Sequence, residues 1–205
     1  WVNFMTKDLT KGSVTKNLIF FTLPMFVSVA FQQMYNLADS IIAGKFAGKQ
    51  ALAAVGASYP VTMLFIAIAL GAGIGVSVVI SQFFGRKDMG KLKTAVSTSL
   101  ISVFILSVIL TAIGVIFSTP ILKMLSTGSD IFEASKLYLD IYIWGLVFLF
   151  IYNISTGIFT AMGDSKTPLI LLIASSVLNI ILDMVFVIAL KMSVAGVALA
   201  TFIAQ

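Results

Sequence analysis

The sequence predicts an all-α integral membrane protein: a lobe of six helices, of which the sixth is incomplete. Hydrophobic residues make up 60% of the 205 residues and charged residues only 10%, whereas a soluble domain has roughly 45–50% apolar and 25% charged residues. Uncharged or nearly uncharged runs long enough to span a bilayer recur along the chain. The segments between these runs carry charged or turn residues, as loops between membrane spans do.

A membrane-spanning helix needs about 20 mostly apolar residues. Five runs reach that length and are predicted to be full spans, at about 17–43, 51–85, 94–122, 137–163 and 167–190. A sixth run, 193–205, covers about two-thirds of a bilayer core at ~1.5 Å per residue. We therefore divide the chain into an N-terminal segment, 1–16, and a transmembrane lobe, 17–205, and expect a C-terminal lobe elsewhere in a longer protein.

The distribution of Lys and Arg predicts the orientation of these spans. Eight of the 13 basic residues lie in loops on the side of the N-terminus, and five lie on the opposite side. Cytoplasmic loops carry the excess of basic residues. We therefore predict a multi-pass protein of the cytoplasmic membrane whose N-terminus is cytoplasmic, and the net charge of +5 is not taken to indicate nucleic-acid binding.

Two residue types that are common in enzyme active sites and metal sites are missing. His and Cys are both absent, which excludes disulfides, thiol catalysis and histidine proton relays. The stretch GKFAGKQ at 44–50 has its glycines one residue too close for a phosphate-binding loop. The glycines of GAGIG at 71–75 lie inside a long apolar run, where small residues favour close helix packing. Neither an enzyme nor a cofactor is predicted.

Two carboxylates, Asp39 and Asp183, fall well inside predicted spans, and a third, Asp140, lies close to the end of one. A carboxylate at the bilayer centre costs about 2.5–3.5 kcal/mol on insertion scales, so it usually faces a bundle interior or a water-filled cavity. Asp39 is about 6 Å and Asp183 roughly 10 Å from the outer ends of spans one and five, and Thr201 is about 12 Å into span six from the same side. Three polar groups on three helices are therefore expected at similar depth.

Helical periodicity places further polar residues beside these carboxylates. Asn179 lies four residues before Asp183 and shares its helix face. A second stripe consists of Gln32, Asn36 and Asp39, with Tyr35 beside it. The two stripes are predicted to point inward and to meet, although Asp39 at the outer headgroups and a purely structural Asn179–Asp183 pair remain alternatives.

Other polar residues in or near the spans have simpler interpretations. Asp140 follows Lys136 by four residues and is predicted to form an ion pair at the interface. Six Ser and Thr residues of span three are predicted to satisfy local carbonyls: Thr94, Ser97, Thr98, Ser102, Ser107 and Thr111. Pro24 is expected to kink the first span, either as a moving part or as a packing feature.

Four stretches resemble the multidrug and toxic compound extrusion (MATE) transporters. LPMFVSVAFQQMYNLADSIIAGKFAGKQALAAVG resembles the first span and its loop, and GAGIGVSVVISQFFGRKDMGK resembles the second span and its basic loop. GIFTAMGDSKTPLI is similar to the connection between spans four and five, and NIILDMVFV to span five. Together they occur in order over nearly the whole chain.

The resemblance implies a twelve-span transporter of two lobes, with a substrate cavity between and within them, that exports organic cations and drugs in exchange for Na⁺ or H⁺. It implies a cation-binding cluster at Asp39, Asn179, Asp183 and Thr201. Tyr138 corresponds to a tyrosine near that cluster and Pro24 to the proline associated with bending. Gln32, Tyr35, Asn36 and Tyr138 are candidates for lining the cavity.

We expect Asp39 and Asp183 to bind H⁺ or Na⁺ because two carboxylates in a partly dry pocket cannot both stay ionised cheaply. Asn179 and Thr201 would add oxygen ligands suited to Na⁺. Alternatives are a lipid-linked oligosaccharide flippase of the same superfamily, a major facilitator protein, a channel, and a non-transporting scaffold or half-protein. The flippase would be expected to carry Arg or Lys in its spans, and no predicted span has one at its centre.

Overall fold

Residues 13–205 are described by a computed structural model, so most of the predicted N-terminal segment lies outside the described residues. Seven α-helices, α1 to α7, are Val14–Ile42, Lys49–Gly85, Met89–Met124, Phe132–Trp144, Leu146–Ala161, Lys166–Asp183 and Ser193–Ala204. Two π-helical segments, Ala43–Ala47 and Met184–Ala189, continue α1 and α6. No strand occurs within residues 13–205, which confirms the all-α class.

Several of these helices have the length and composition of membrane spans. Helices α2 and α3 qualify alone, as do the continuous segments Thr15–Ala47 and Lys166–Ala189. Helices α4 and α5 qualify as one span that is bent by 48°. Helix α7 is a shorter apolar helix of 12 residues. The lobe is therefore a bundle of membrane-type helices, and the positions of the six spans in a bilayer remain a prediction.

The sequence predicts one continuous fourth span over 137–163, whereas the structure breaks this segment at Gly145. A Cβ on Gly145 would lie 3.1 Å from Gln205 Oε1 and 3.3 Å from Phe202 Cδ2, so α7 packs directly on the break. The Thr111 hydroxyl donates to the Ile143 carbonyl at 3.4 Å, close to the bend. Contacts from α3 and α7 thus stabilise this break, which the hydropathy of α4 and α5 does not indicate.

Helices α2 and α5 pack closely because both present glycine at their contact. A Cβ on Gly73 would lie 2.8 Å from the Asn153 carbonyl oxygen, and one on Gly157 would lie 2.5 Å from the Gly73 carbonyl oxygen. Both distances are shorter than a carbon atom tolerates, and the obstructing atoms belong to backbones. The interpretation of GAGIG as a packing element therefore holds for its central glycine.

Buried apolar residues form two clusters. The larger one lies among α2, α3, α4 and α5 and includes Phe65, Ile143 and Phe150. The smaller one joins the π-helical segments to α2, α4 and α7 and includes Ala54, Tyr138, Val187 and Val197. Helix α1 packs mainly against α6, and large apolar side chains along it are exposed. Helix α1 is thus attached to the bundle along one side.

The GKFAGKQ stretch forms a turn between helices. Ala43–Ala47 is π-helical, and Gly48 then adopts a φ of 95° before α2 begins at Lys49. The Ser193 hydroxyl donates to the Ala47 carbonyl at 3.0 Å, which ties this turn to the start of α7. With helices on both sides, the stretch does not have the strand-to-helix context of a phosphate-binding loop.

Pro24 lies inside α1, which is helical without interruption from Val14 to Ile42. The Ser28 hydroxyl donates to the Pro24 carbonyl at 2.9 Å. Such a bond from a side chain back to the helix backbone is associated with bent helices in general. A bend at Pro24 remains a prediction for this chain.

Asp164 fixes the start of α6. Its Oδ1 accepts hydrogen bonds from the backbone N–H groups of Lys166 and Thr167, each at 3.0 Å, and its Oδ2 accepts from the Thr167 hydroxyl at 2.6 Å. We expect Asp164→Ala to lower stability by about 1 kcal/mol, the usual value of a helix cap. The apparent melting temperature in detergent checks this, with Asp164→Asn as the control that keeps one acceptor oxygen. Equal melting of the two variants would contradict the role of the cap.

Candidate carboxylate-pair site

The two intramembrane carboxylates meet where α1 packs on α6. The Asp39 and Asp183 carboxyl groups are within hydrogen-bonding contact of each other. Asp183 is completely buried, and Asp39 is half-buried. One oxygen of each carboxyl group is shielded from solvent without a hydrogen-bond partner among residues 13–205. The structure therefore brings the Asp39 and Asp183 members of the two predicted polar stripes together.

Asn179 connects this pair to α7. With the amide oriented to satisfy its neighbours, its nitrogen donates to Asp183 Oδ2 at 3.1 Å and its oxygen accepts from the Thr201 backbone N–H at 3.1 Å. The Thr201 hydroxyl donates to the Val197 carbonyl at 3.1 Å, and the Thr201 side chain lies near that of Tyr35. Asn179 is only 1% exposed, and its amide makes one hydrogen bond to α6 and one to α7.

Tyr138 of α4 borders the pair and contacts a second tyrosine, Tyr142. Tyr138 is buried, and its ring stacks on Tyr142 with centroids 6.3 Å apart. Tyr138 interacts electrostatically with both Asp39 and Asp183, which places it beside the carboxylates. The sequence reasoning did not include Tyr142, although it lies four residues after Tyr138 and therefore on the same helix face.

A cavity of about 440 Å³ adjoins the site between α1, α5, α6 and α7. It is reached from the carboxylate pair through Asn179, Thr201 and Tyr35, which are among its lining residues. The other polar lining residues are Gln32, Tyr152, Ser175, Ser176 and Gln205. The cavity thus combines hydroxyl, amide and aromatic groups, and none of its lining residues is a Lys or Arg.

Of the four residues predicted to line a cavity, Gln32 and Tyr35 line this one, and Tyr138 and Asn36 do not. For these last two, a place in the substrate cavity stays a prediction. The Asn36 side chain is exposed, and its amide nitrogen donates to Gln33 Oε1 at 3.4 Å. One residue corresponds to about 100° of rotation in an α-helix. Asn36 is therefore displaced by that angle from Tyr35, which does line the cavity.

Sequence reasoning missed four polar residues of the cavity. Ser176 had a detectable signal because it lies three residues before Asn179 and seven before Asp183, on the same face of α6. Tyr152, Ser175 and Gln205 had none, since their place in the cavity depends on how α5, α6 and α7 pack together.

The predicted pair of Lys136 and Asp140 forms as expected. Lys136 Nζ lies 2.6 Å from Asp140 Oδ2, and the side chains are 36% and 29% exposed. Asp140 is therefore a carboxylate of the same lobe that has its own cation as a partner. It provides a natural control for substitutions of Asp39 and Asp183.

Comparison with known proteins identifies the family. The MatE family model matches residues 24–185, most of the chain. The chain belongs to the MatE family. It is 34% identical to the probable multidrug resistance protein YoeA of Bacillus subtilis over 203 residues, 97% of this chain and 44% of that protein. A second relative, the FAD transporter of Shewanella oneidensis, is 25% identical over 94% of this chain and 43% of its own length.

The fold of this MatE chain also matches that of solved transporters. An outward-facing structure of a multidrug resistance MATE family transporter superimposes with a TM-score of 0.90 and 29% identity, covering 98% of this chain and 45% of that one. The chain therefore spans a little under half the length of the MatE proteins it matches. The relatives are named as transporters or multidrug resistance proteins, and the chain is a membrane protein of that family.

Proposed function

We propose that this chain is the N-terminal lobe of a cation-coupled antiporter that exports organic cations or drugs. The observation that carries this proposal is the contact between the Asp39 and Asp183 carboxyl groups beside the 440 Å³ cavity. A scaffold gains nothing from two carboxyl groups held inside a membrane bundle, because each is costly to place there. In a site that takes up and releases a cation, the cost of leaving the carboxylates charged favours binding of the cation.

The polarity of the cavity supports a cationic substrate. Its lining carries hydroxyl, amide and tyrosine groups with no basic side chain, and Asp39 and Asp183 lie next to it. Carboxylates attract an organic cation, and tyrosine rings favour cations on their faces. An anionic substrate such as FAD, or the pyrophosphate of a lipid-linked oligosaccharide, would have no basic partner among these lining residues.

We propose H⁺ as the coupling ion. A carboxyl group donates a hydrogen bond only when it is protonated, so direct contact between two carboxyl groups suits a shared proton. Na⁺ would require several oxygen ligands directed at one point. In the orientation that satisfies its protein neighbours, the Asn179 amide makes hydrogen bonds to Asp183 and to the Thr201 backbone without any ion.

The position of the Asp39–Asp183 pair suggests how cation binding would be coupled to movement of α1 relative to α6. Asp39 is on α1, which packs mainly on α6, the helix that carries Asp183. Uptake of a proton removes the repulsion between the two carboxylates and favours the packed position of α1. Loss of the proton, or its displacement by a cationic drug, favours separation of α1 from α6. A ligand shifts such a balance only through its different affinities for the two states. The π-helical segments after both aspartates, and Pro24, are the places where α1 and α6 would adjust.

The full antiporter also needs parts outside this chain. We propose that a second lobe completes the substrate cavity, and that the N-terminus lies in the cytoplasm, in line with the excess of basic residues in loops on that side. With this orientation the carboxylate pair is nearer the outer surface. External protons therefore reach it by the shorter route.

Efflux from vesicles containing the full-length protein tests the proposal. The vesicles are loaded with a fluorescent cationic dye and given an imposed H⁺ gradient or, separately, an imposed Na⁺ gradient. We expect efflux of the dye driven by the H⁺ gradient, and no efflux of an anionic flavin dye. Efflux driven by the Na⁺ gradient alone would show that the coupling ion is Na⁺ and not H⁺. No efflux of the cationic dye under either gradient would contradict the antiporter.

A further inference from the structure

A second groove lies between α2 and α3, away from the carboxylate pair. Its volume is about 620 Å³. The α2 wall is apolar and includes Val76, Val79 and Phe83. A Cβ on Gly75, which also lines the groove, would have no atom within 4 Å, so the wall leaves open space there.

The α3 wall is polar along one face. Lys91, Thr94, Thr98 and Ser102 all line the groove, and their spacings of three and four residues place them on one side of the helix. From Lys91 to Ser102 the rise is about 16 Å. That distance is about half of a ~30 Å hydrocarbon core. The groove therefore has the length of one leaflet, with Lys91 at the end nearest the α2–α3 turn.

Positive charge is concentrated at that end. Arg86, Lys87, Lys91 and Lys93 occur within eight residues, and Asp88 is the only carboxylate among them in the sequence. Lys91 Nζ lies 3.7 Å from Asp88 Oδ2, with side chains 71% and 39% exposed. An exposed pair of this kind contributes little. The Lys91 ammonium is therefore available to an anion at the mouth of the groove.

We propose that this groove binds one anionic phospholipid from the leaflet that borders the α2–α3 turn. The phosphate contacts Lys91, the glycerol esters lie beside the Thr94 and Thr98 hydroxyls, and an acyl chain follows the apolar α2 wall past Gly75. Charge complementarity and the one-leaflet length argue for this occupant, since basic grooves between membrane helices suit anionic headgroups. The site is separate from the transport proposal, and failure of either leaves the other intact.

Native mass spectrometry of the purified full-length protein tests the charge contact. The protein is titrated with phosphatidylglycerol or phosphatidylcholine, and the first bound lipid is quantified. We expect preference for phosphatidylglycerol, weakened about fivefold in Lys91→Gln, since one basic residue near a membrane surface contributes ~1 kcal/mol. Lys93→Gln is the matched control, because Lys93 carries the same charge in the same segment but does not line the groove. If both substitutions weakened the preference for phosphatidylglycerol equally, the proposed contact with Lys91 would be contradicted.

A second pair of variants tests the groove itself. Gly75→Leu places a side chain in the space assigned to the acyl chain, and we expect it to abolish preferential retention of the lipid. Gly56→Leu is the control, since Gly56 lies on the same helix, also has open space at its Cβ and does not line the groove. Undiminished retention in Gly75→Leu, or no preference for phosphatidylglycerol in the unaltered protein, would overturn the proposal.

Discussion

Asp183→Asn in the full-length protein is expected to reduce gradient-driven dye efflux by about 5- to 150-fold, the usual range of a coupling free energy between two sites. The substitution removes the ionisable group and keeps the size of the side chain. The amide oxygen that it introduces can still accept from the Asn179 amide, which in the native protein donates to Asp183 Oδ2 at 3.1 Å. Folding is therefore expected to survive while the response to a proton gradient is lost.

The same loss is expected for Asp39→Asn, because the two carboxyl groups act as one pair. Asp140→Asn is the matched control: Asp140 is a carboxylate of the same lobe, but its partner is Lys136 at 2.6 Å. All variants are compared at equal amounts in the membrane. Efflux that is unchanged in Asp183→Asn, or lost equally in Asp140→Asn, would show that the Asp39–Asp183 pair is not the coupling site.

Gly73→Val is expected to prevent the lobe from assembling. Even a Cβ at this position would lie 2.8 Å from the Asn153 carbonyl oxygen, and backbone atoms cannot rotate away as a side chain can. Helices α2 and α5 would have to separate, which opens the larger apolar cluster. Overpacking of this kind costs about 1–3 kcal/mol or more. We expect loss of the monodisperse peak when a fluorescent-protein fusion is chromatographed in detergent.

Gly71→Val serves as the control for this prediction. It lies two residues away in the same GAGIG stretch, and a Cβ there would have no atom within 4 Å. The intrinsic helix propensity changes equally in both variants, so only the contact with α5 differs. A monodisperse peak for Gly73→Val like that of Gly71→Val would contradict the close packing of α2 and α5.

Much of the site could be predicted from the sequence because the membrane makes polar residues rare and helical geometry makes their faces predictable. Asp39, Asp183 and Thr201 were expected at similar depth on three helices, with Asn179 on the same face as Asp183. The structure brings these four residues together. Their roles remain predictions. Asn36 lies outside the lining of the 440 Å³ cavity because a stripe of polar residues is wider than the strip of helix that faces a cavity.

Features that depend on packing between helices could not be predicted. The break at Gly145 is supported by Thr111 and Phe202, neither of which is close to it in sequence. The π-helical segment Met184–Ala189 is apolar like α6 before it, and the other, Ala43–Ala47, differs from it by containing Lys45. In span three, Thr94 and Ser107 bond local carbonyls as predicted, but Thr111 bonds another helix. Hydropathy reports the environment of a residue and says little about which helix it touches.

The most direct test of the central claim is to count protons released when a cationic drug binds. The purified full-length protein is mixed with the drug in weakly buffered solution containing a pH indicator, at constant Na⁺, and drug binding is measured in parallel. If Asp39 and Asp183 share a proton that the drug displaces, about one proton is released per drug bound, and none by the double variant Asp39→Asn, Asp183→Asn. Drug binding without proton release in the unaltered protein, or unchanged release in the double variant, would contradict the account.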